Sequence, residues 1–432
     1  MKRWIALLMC VSMLCLCAAA VSPEQRARDV YQALAEERFG DVCALLDDTM
    51  AAQLNADALK QGLDSVVAMA GALDAVESVE TDASGVIVLT ATHERGSVVM
   101  KVVFDTAGRI SGLGLSPVVA ASESSASLPD GAQAVAVTLF AGTNMALNGE
   151  IVLPQGADES TAWVVFAHGS GASDMDETVG ALRPFRDLAY GLAAEGVASL
   201  RFDKITYAYP EGAYDTVEAE YLTPTAEAVR LLREALGAGR VYLLGHSEGG
   251  MLAPWLVSQC GLDGGIVLAG TPRPLWEMSY EQNLAMIATM PEDARPALLE
   301  QVEAERERAL AIDAGALEDA RGQTPFGMDA YYIRHMDGLD QVALAKGSGK
   351  PFLFLWGEAD FQVSEQAFRA WEDGLGESES YRYITYPGLN HLFMAAQEGD
   401  GIANAMQVYS REGSVDDAVI RDIAGWLEGL ER

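Results

Sequence analysis

The sequence predicts an α/β protein: a doubly wound, mostly parallel sheet with a helical insertion, following a small α+β domain. Three observations support this fold class. Short apolar runs bounded by glycine alternate with helical patterns over residues 131–432, as expected for strands that are buried on both faces. A charged segment without a strand pattern, 272–348, interrupts them. Helical and then alternating patterns fill residues 21–117, and a Ser-rich linker covers 118–130.

Length and charge narrow the class of protein. A chain of 432 residues indicates about two domains. Hydrophobic residues make up 50% of it, which is enough to form a large core. The formal net charge is −34, which repels nucleic acid and anionic membrane surfaces. We therefore expect no nucleic-acid partner, and a polyanionic substrate is disfavoured.

The first twenty residues have the pattern of a secretory signal peptide. Lys2 and Arg3 form a basic start, an apolar stretch runs from Trp4 to Leu16, and 18–20 are alanines suited to cleavage. The apolar stretch is short for a membrane span. We expect a secreted or cell-envelope protein with no integral span after cleavage of 1–20. The alternatives are retention of the segment as an anchor and a lipid-anchored form, since Cys10, Cys15 and Cys17 lie in it.

Cysteine and histidine usage argues against a disulfide framework and against zinc. Two cysteines, Cys43 and Cys260, lie outside the signal segment and belong to different predicted domains. No Cys and His residues have the spacing of a zinc site. The sequence therefore predicts no metal centre.

The pattern of residues 21–117 predicts helices followed by a meander of antiparallel β-strands. Pro23 opens a first helix, a second is expected over about 41–54, and a third follows Asn55. The strands expected after them are 85–90, 98–104 and 109–113. The closing pattern Phe-Asp-x-x-Gly-x-Ile-x-Gly-Leu resembles small cone-shaped domains like nuclear transport factor two. His93 is expected on the strand surface. A binding or dimerising role, including a homodimer through this domain, and a passive accessory role are both open.

In the second domain, the sequence pattern predicts a hairpin followed by a sheet of buried strands. The hairpin is 134–140 with 144–153, and the later strands are 162–167, 198–202, 241–244, 265–269, 351–356 and 381–386. The segment 272–348 lies between two core strands, so it is expected to form a helical lid above the sheet. An ordinary surface insertion is the alternative. Aromatic residues in it could line an apolar pocket or pack the lid itself: Trp276, Tyr280, Tyr331 and Tyr332.

Gly-His-Ser-Glu-Gly-Gly at 245–250 follows an apolar strand directly. Strand, Gly-x-Ser-x-Gly and helix form the nucleophile-elbow pattern, in which the serine lies on a strained turn. Gly245 and Gly249, two residues before and after the serine, have no side chains and so permit the tight turn. The elbow exposes Ser247 as a candidate nucleophile, and the backbone N–H of Glu248 is a candidate oxyanion donor.

A second oxyanion donor is expected in the loop after the strand that ends at Ala167. His168-Gly169-Ser170-Gly171 follows it, and the backbone N–H of Ser170 is the candidate. His168 is expected to brace this loop rather than to transfer protons.

A serine nucleophile also needs a histidine base and a carboxylate that orients it. In this architecture the chain order is serine, acid, histidine. Asp360 follows the strand 351–356 and is the preferred acid, with Glu358 as its rival. Of the histidines beyond Ser247, His391 follows the acid. Ser247, Asp360 and His391 are therefore the candidate triad.

With these pieces, residues 130–432 resemble bacterial α/β-hydrolases of the dienelactone-hydrolase and acyl-esterase kind. The matching pieces are His168-Gly169-Ser170-Gly171, Leu200-Arg201-Phe202-Asp203-Lys204, 245–250, Gly357-Glu358-Ala359-Asp360-Phe361-Gln362-Val363 and Leu389-Asn390-His391-Leu392-Phe393. Relatives tend to carry an arginine where this chain has Ile205, so an anionic-substrate contact there is in doubt. Arg201 and Asp203 are expected to pair with each other.

The resemblance implies hydrolysis of a small-molecule carboxylic ester through an acyl-enzyme, without a metal or organic cofactor. A thioesterase or serine peptidase would use the same triad. A non-catalytic envelope binding protein with a hydrolase fold is the third hypothesis.

Overall fold

The computed structural model describes residues 22–81, 85–94, 96–118, 126–210, 212, 216–312 and 324–430. The predicted signal segment, 1–20, and residues 119–125 of the predicted linker lie outside the described residues. The chain divides into two compact units, with the boundary between Ala120 and Ala121. None of the helices within the described residues is both long and apolar enough to cross a membrane.

The N-terminal unit contains helices followed by an antiparallel sheet in the order β1-β2-β3-β4. Its elements are α1 (Pro23–Ala35), α2 (Phe39–Cys43), α3 (Asp48–Gln53), α4 (Ala56–Ala70), β1 (Leu73–Thr81), β2 (Ile87–His93), β3 (Gly96–Phe104) and β4 (Ile110–Val118). Inward residues of β2 and β3 alternate with outward ones and pack against the buried side of α1, so the helices cover one sheet face.

Three details of this unit differ from the sequence prediction. The helix expected over 41–54 is broken, because the N–H of Asp47 donates to the carbonyl of Ile110 and the N–H of Ile110 donates to the carbonyl of Leu45. These bonds to the start of β4 take the backbone groups that a continuous helix would use. Strand β1, rich in acidic residues, had no apolar run to indicate it.

His93 is the third difference, because it is buried and not on the surface. It ends β2 on the inward side of the alternation. Its Nδ1 lies 2.8 Å from the carbonyl oxygen of Gly71, and its Nε2 contacts the hydroxyl of Tyr31. Both ring nitrogens therefore have partners, as a buried imidazole requires.

The C-terminal unit is built on an eight-stranded sheet in the order β12-β11-β10-β9-β7-β8-β6-β5. Its strands are β5 (Gln133–Leu139), β6 (Leu147–Leu153), β7 (Ala162–Ala167), β8 (Ala198–Phe202), β9 (Arg240–His246), β10 (Gly265–Leu268), β11 (Phe352–Gly357) and β12 (Tyr381–Tyr386). Strands β7 to β12 are parallel, and the hairpin β5–β6 joins antiparallel to β8. The predicted fold class is confirmed.

Helices cover both faces of this sheet, over two hydrophobic clusters. The helices of this unit are α5 (Pro184–Ala194), α6 (Ile205–Ala208), α7 (Thr223–Arg230), α8 (Glu248–Met251), α9 (Ala253–Gln259), α10 (Leu275–Thr289), α11 (Arg295–Leu310), α12 (Ala330–Asp337), α13 (Gln341–Ser348), α14 (Glu365–Leu375), α15 (Ala405–Tyr409) and α16 (Asp417–Gly429). Short π-helical turns flank α7 at Glu218–Leu222 and Leu231–Ala235, and short 3₁₀ turns lie at Pro325–Gly327 and Ile402–Asn404. Most strands end at the same edge, where loops carry ligands in such sheets.

The segment 272–348 is helical in its described part, as predicted, but its last helix belongs to the core. Helix α13 packs on α9, and Ala345 is fully buried in the main cluster. Trp276 of α10 and Ile333 of α12 belong to a small separate cluster, and Met336 of α12 reaches the main one. A lid role is therefore a prediction for α10 to α12 alone.

Candidate active site

Ser247 lies on a turn between β9 and α8 whose backbone is strained. Its φ and ψ are 51° and −114°, a region that non-glycine residues seldom adopt. A Cβ on Gly245 would lie 2.2 Å from the carbonyl oxygen of Gly249, and one on Gly249 would lie 2.3 Å from that of Ala167. The two glycines therefore permit the close chain crossing that holds Ser247 at the strand end.

The loop after β7, residues 168–183, lies directly against the elbow and is named the oxyanion loop after its candidate donor, Ser170. A Cβ on Gly169 would be 3.2 Å from the Cβ of Ser247. The N–H of Gly169 donates to Oε1 of Glu177 at 2.6 Å, and Ser170 follows at the exposed end of the loop. Glu248 is the first residue of α8, so its N–H has no acceptor within the helix. Both candidate oxyanion donors thus belong to segments that meet at Ser247.

His391 and Asp360 form a buried pair beside the elbow. Nδ1 of His391 lies 2.7 Å from Oδ2 of Asp360, and both side chains are at most 4% exposed. The other carboxylate oxygen accepts the backbone N–H groups of Gln362 and Val363. Glu358 is exposed and accepts from Thr385 instead. The structure therefore brings Asp360, and not its rival, to the histidine.

His246, the residue before Ser247, connects the elbow to the histidine loop. Its Nε2 lies 3.0 Å from the carbonyl oxygen of His391, and its Nδ1 lies 3.0 Å from Oε2 of Glu177. Burial by itself would lower the pKa of His246, but the Glu177 carboxylate holds it above its usual value. Burial would raise the pKa of Glu177, and His246 lowers it overall. Both shifts favour the charged forms of the two groups, although the 3.0 Å contact does not have the geometry of a hydrogen bond.

A second buried polar cluster contacts the carbonyl of Gly169 in the oxyanion loop. Lys204 donates to the carbonyl of Gly169 at 2.8 Å and to the hydroxyl of Tyr221 at 2.7 Å. Tyr332, on α12, donates to Glu248 at 2.8 Å, so it is the predicted lid aromatic that reaches the elbow. Burial raises the pKa of Glu248, although Lys204 opposes this.

Two predictions about supporting residues have opposite outcomes. Nε2 of His168 lies 2.9 Å from the carbonyl oxygen of Asp174, and burial lowers its pKa to about 4; it braces the loop, as predicted. The predicted Arg201–Asp203 pair is wrong. Arg201 binds Glu150 and Asp176, because adjacent strand β6 and the oxyanion loop bring carboxylates closer.

Asp203 has its own role in the loop. It accepts the N–H of Met175 at 2.9 Å and the side-chain amide of Asn148 at 3.3 Å. The carboxylate therefore joins the end of β8 to the oxyanion loop and to the start of β6.

Residues 164–405 match the alpha/beta hydrolase family. The chain belongs to the alpha/beta hydrolase family. Residues 27–113 match a second family, described as a protein of unknown function (DUF3887). The resemblance of this N-terminal part to nuclear transport factor two is still a prediction.

Among relatives of this alpha/beta hydrolase, Esterase EstD of Thermotoga maritima is 29% identical over 413 residues, or 94% of this chain and 95% of the relative. Among solved structures, Est1E from Butyrivibrio proteoclasticus has a TM-score of 0.41 and 17% identity, covering 64% of this chain and 96% of that one. The Pyrococcus furiosus esterase Pf2001 also has a TM-score of 0.41, with 14% identity over 68% of this chain and 90% of that one.

No sequence pattern of this alpha/beta hydrolase indicated Glu177 or Tyr221 as supporting residues of the site. Glu177 lies in an irregular loop with a φ of 51°, and no motif connects it to His246. Tyr221 lies in a π-helical turn, which no spacing rule predicts. Lys204 was part of a recognised piece, but its partner, the carbonyl of Gly169, is 35 residues away in sequence.

The described residues offer no group of three or more His, Cys, Asp or Glu side chains that could hold a metal ion. Within the same residues, Cys43 and Cys260 are free thiols.

Proposed function

We propose that this alpha/beta hydrolase cleaves carboxylic esters through an acyl-enzyme on Ser247. The observation that carries the proposal is the 2.7 Å contact between Nδ1 of His391 and Oδ2 of Asp360, beside a serine held at a φ of 51°. A carboxylate on Nδ1 leaves Nε2 of the same ring as a proton acceptor, which is the tautomer that a base needs.

The proposed reaction has two steps. In the first, Ser247 Oγ attacks the ester carbonyl and His391 accepts its proton. The N–H groups of Ser170 and Glu248 stabilise the negative oxygen, and the C–O bond breaks as His391 returns the proton to the leaving alcohol. In the second, water attacks the acyl-enzyme, His391 takes a proton from it, and the acid leaves as the proton returns to Ser247.

The relative named Esterase EstD, which matches almost the full chain, supports an ester as the substrate class. We propose a small-molecule ester. Thioesters and peptides are alternatives that use the same triad, and a binding protein without turnover is the non-enzymatic one. From the sequence pattern we further propose an extracytoplasmic location with cleavage of residues 1–20, and a homodimer through the N-terminal unit as one role for it.

A substrate series with a nucleophile variant tests the proposal. Wild type and Ser247→Ala are assayed on p-nitrophenyl esters of increasing acyl length, on acyl thioesters and on peptide amides. We expect ester turnover that the substitution abolishes, and labelling of Ser247 by a fluorophosphonate, located by peptide mass spectrometry. Turnover of thioesters or peptides alone would replace the ester assignment. Ester turnover that survives in Ser247→Ala would refute it.

A further inference from the structure

The peptide between Gly169 and Ser170 is held on its carbonyl side by a buried cation. Nζ of Lys204 donates to the carbonyl oxygen of Gly169 at 2.8 Å, and the hydroxyl of Tyr221 donates to the same oxygen at 3.1 Å. On the preceding peptide, the N–H of Gly169 donates to Glu177 at 2.6 Å. The two peptide groups that flank Gly169 are therefore both held by buried side chains.

The planarity of a peptide transmits this restraint to the next N–H. In a trans peptide the C=O and the N–H point in opposite directions, so the carbonyl held by Lys204 sets the direction of the Ser170 N–H. Gly169 lies against Ser247, since a Cβ on it would be 3.2 Å from the serine Cβ. Lys204 and Tyr221 thus set the orientation of the candidate oxyanion donor by holding the carbonyl oxygen of the same peptide.

Lys204 is built into this position. The residue is 2% exposed, and its ammonium contacts three acceptors, which matches its three donors. Besides the Gly169 carbonyl, these are the hydroxyl of Tyr221 at 2.7 Å and a carboxylate oxygen of Glu220 at 2.7 Å. Its Nζ also lies 4.4 Å from the centre of the Tyr221 ring. A buried, fully bonded ammonium has little freedom to leave the carbonyl.

We propose that Lys204 is a positioning residue of the oxyanion hole: it orients and polarises the Gly169–Ser170 peptide, whose N–H stabilises the negative oxygen. A cation on the carbonyl oxygen withdraws electron density through the peptide and makes the N–H a better donor, as in other hydrogen-bond chains. The effect is larger in the transition state, because negative charge develops there. This inference rests on the proposed function of Ser247.

The test replaces Lys204 by Met, which keeps the length of the side chain and removes its charge. We expect kcat for a p-nitrophenyl ester to fall about 10- to 100-fold, less than the roughly 100- to 1000-fold typical of losing an oxyanion donor outright. KM should stay close to the wild-type value. The inhibition constant of phenylboronic acid, which forms a tetrahedral anion on a serine, should rise by the same factor as kcat falls. Lys350→Met is the matched control, since the side chain of this lysine is 40% exposed and its Nζ lies 3.7 Å from Asp263, and it should leave all three values unchanged.

The rate of Ser247 labelling by a fluorophosphonate is measured in parallel, because it does not depend on the natural substrate. We expect the same fall in Lys204→Met. If wild type is labelled but turns over no ester, the proposed substrate class fails and the labelling rates still decide this inference. If wild type is not labelled, both proposals fail.

Two further variants separate positioning from simple ion pairing. Lys204→Met/Glu220→Gln removes both charges of the buried pair, and thermal unfolding reports whether its stability recovers. We expect kcat and the labelling rate to stay low in this folded variant. Tyr221→Phe removes the second, neutral bond to Gly169 and should lower kcat less than Lys204→Met does. Wild-type rates in either folded Lys204 variant would overturn the inference.

Discussion

A carboxylate oxygen of Glu177 lies 3.0 Å from Nδ1 of His246, the residue directly before Ser247. Both residues are buried. The other oxygen of Glu177 accepts the N–H of Gly169, and Nε2 of His246 lies 3.0 Å from the carbonyl oxygen of His391. This one pair therefore connects the oxyanion loop, the elbow and the loop of the candidate base. Its charge and its geometry can be tested separately.

We expect Glu177→Ala to destabilise the fold by about 3 kcal/mol, because it leaves a buried imidazole unpaired. It should also lower kcat about tenfold or more, since the loops of His391 and Gly169 both lose a restraint. Urea unfolding and ester turnover measure the two effects. Glu177→Gln is the informative companion. Its amide oxygen can accept from Gly169 and its NH₂ can donate to a neutral His246, so it should keep most of the activity. Glu195→Ala, an exposed residue, is the control.

The same pair predicts a pH dependence of stability. The pKa of Glu177 is lowered from its ordinary 4.5, so its contribution is present above pH 4.5 and is lost as the pH falls through the lowered value. The pKa of His246 is raised from its ordinary 6.5, so its contribution is present below pH 6.5 and is lost as the pH rises through the raised value.

The stability advantage of wild type over Glu177→Gln should therefore be largest between pH 4.5 and 6.5. Urea unfolding of both proteins across the range from mild acid to mild alkali measures this difference. An advantage that is independent of pH would show that the pair is not an ion pair.

Asp360→Asn should lower kcat on the order of 10⁴-fold with little loss of stability. The Asn oxygen can still accept the N–H groups of Gln362 and Val363. Its NH₂ would face Nδ1 of His391 and favour the tautomer that carries its proton on Nε2, which cannot accept one from Ser247. Glu358→Gln is the control, because this carboxylate contacts Thr385, and its kcat should equal that of wild type. Equal losses in both variants would contradict the assignment of the acid.

Gly249→Ala should destabilise the C-terminal unit by about 3 kcal/mol or more. Its Cβ would lie 2.3 Å from the carbonyl oxygen of Ala167 and 2.6 Å from that of His168, and these backbone atoms have little room to move. Gly347→Ala provides the opposite case. No atom lies within 4 Å of its Cβ position inside α13, so alanine should stabilise by roughly 0.5–1 kcal/mol. Thermal unfolding of both variants compares them, and a mild effect at Gly249 would contradict the tight crossing at the elbow.

Local patterns predicted the bounds of the parallel strands within one or two residues, and they predicted that Ser247 lies on the turn after β9. Apolar runs such as 162–167 became β7 with the same bounds, because a strand buried on both faces must be apolar throughout. Patterns failed where a distant segment competes for backbone hydrogen bonds. The helix expected over 41–54 is broken at its pairing with Ile110, a residue far along the chain.

The sequence by itself determined the order of chemical groups in the second domain: a loop donor, a serine on a glycine-flanked turn, an acid after a late strand and a histidine after the last strand. These depend on local steric rules and on chain order. Tertiary structure decided that His391 contacts Asp360 and not Glu358. It also decided that Glu177, His246 and Lys204 support the oxyanion loop. Buried polar groups must find partners wherever the folded chain brings them, and that choice depends on packing between segments that are far apart in sequence.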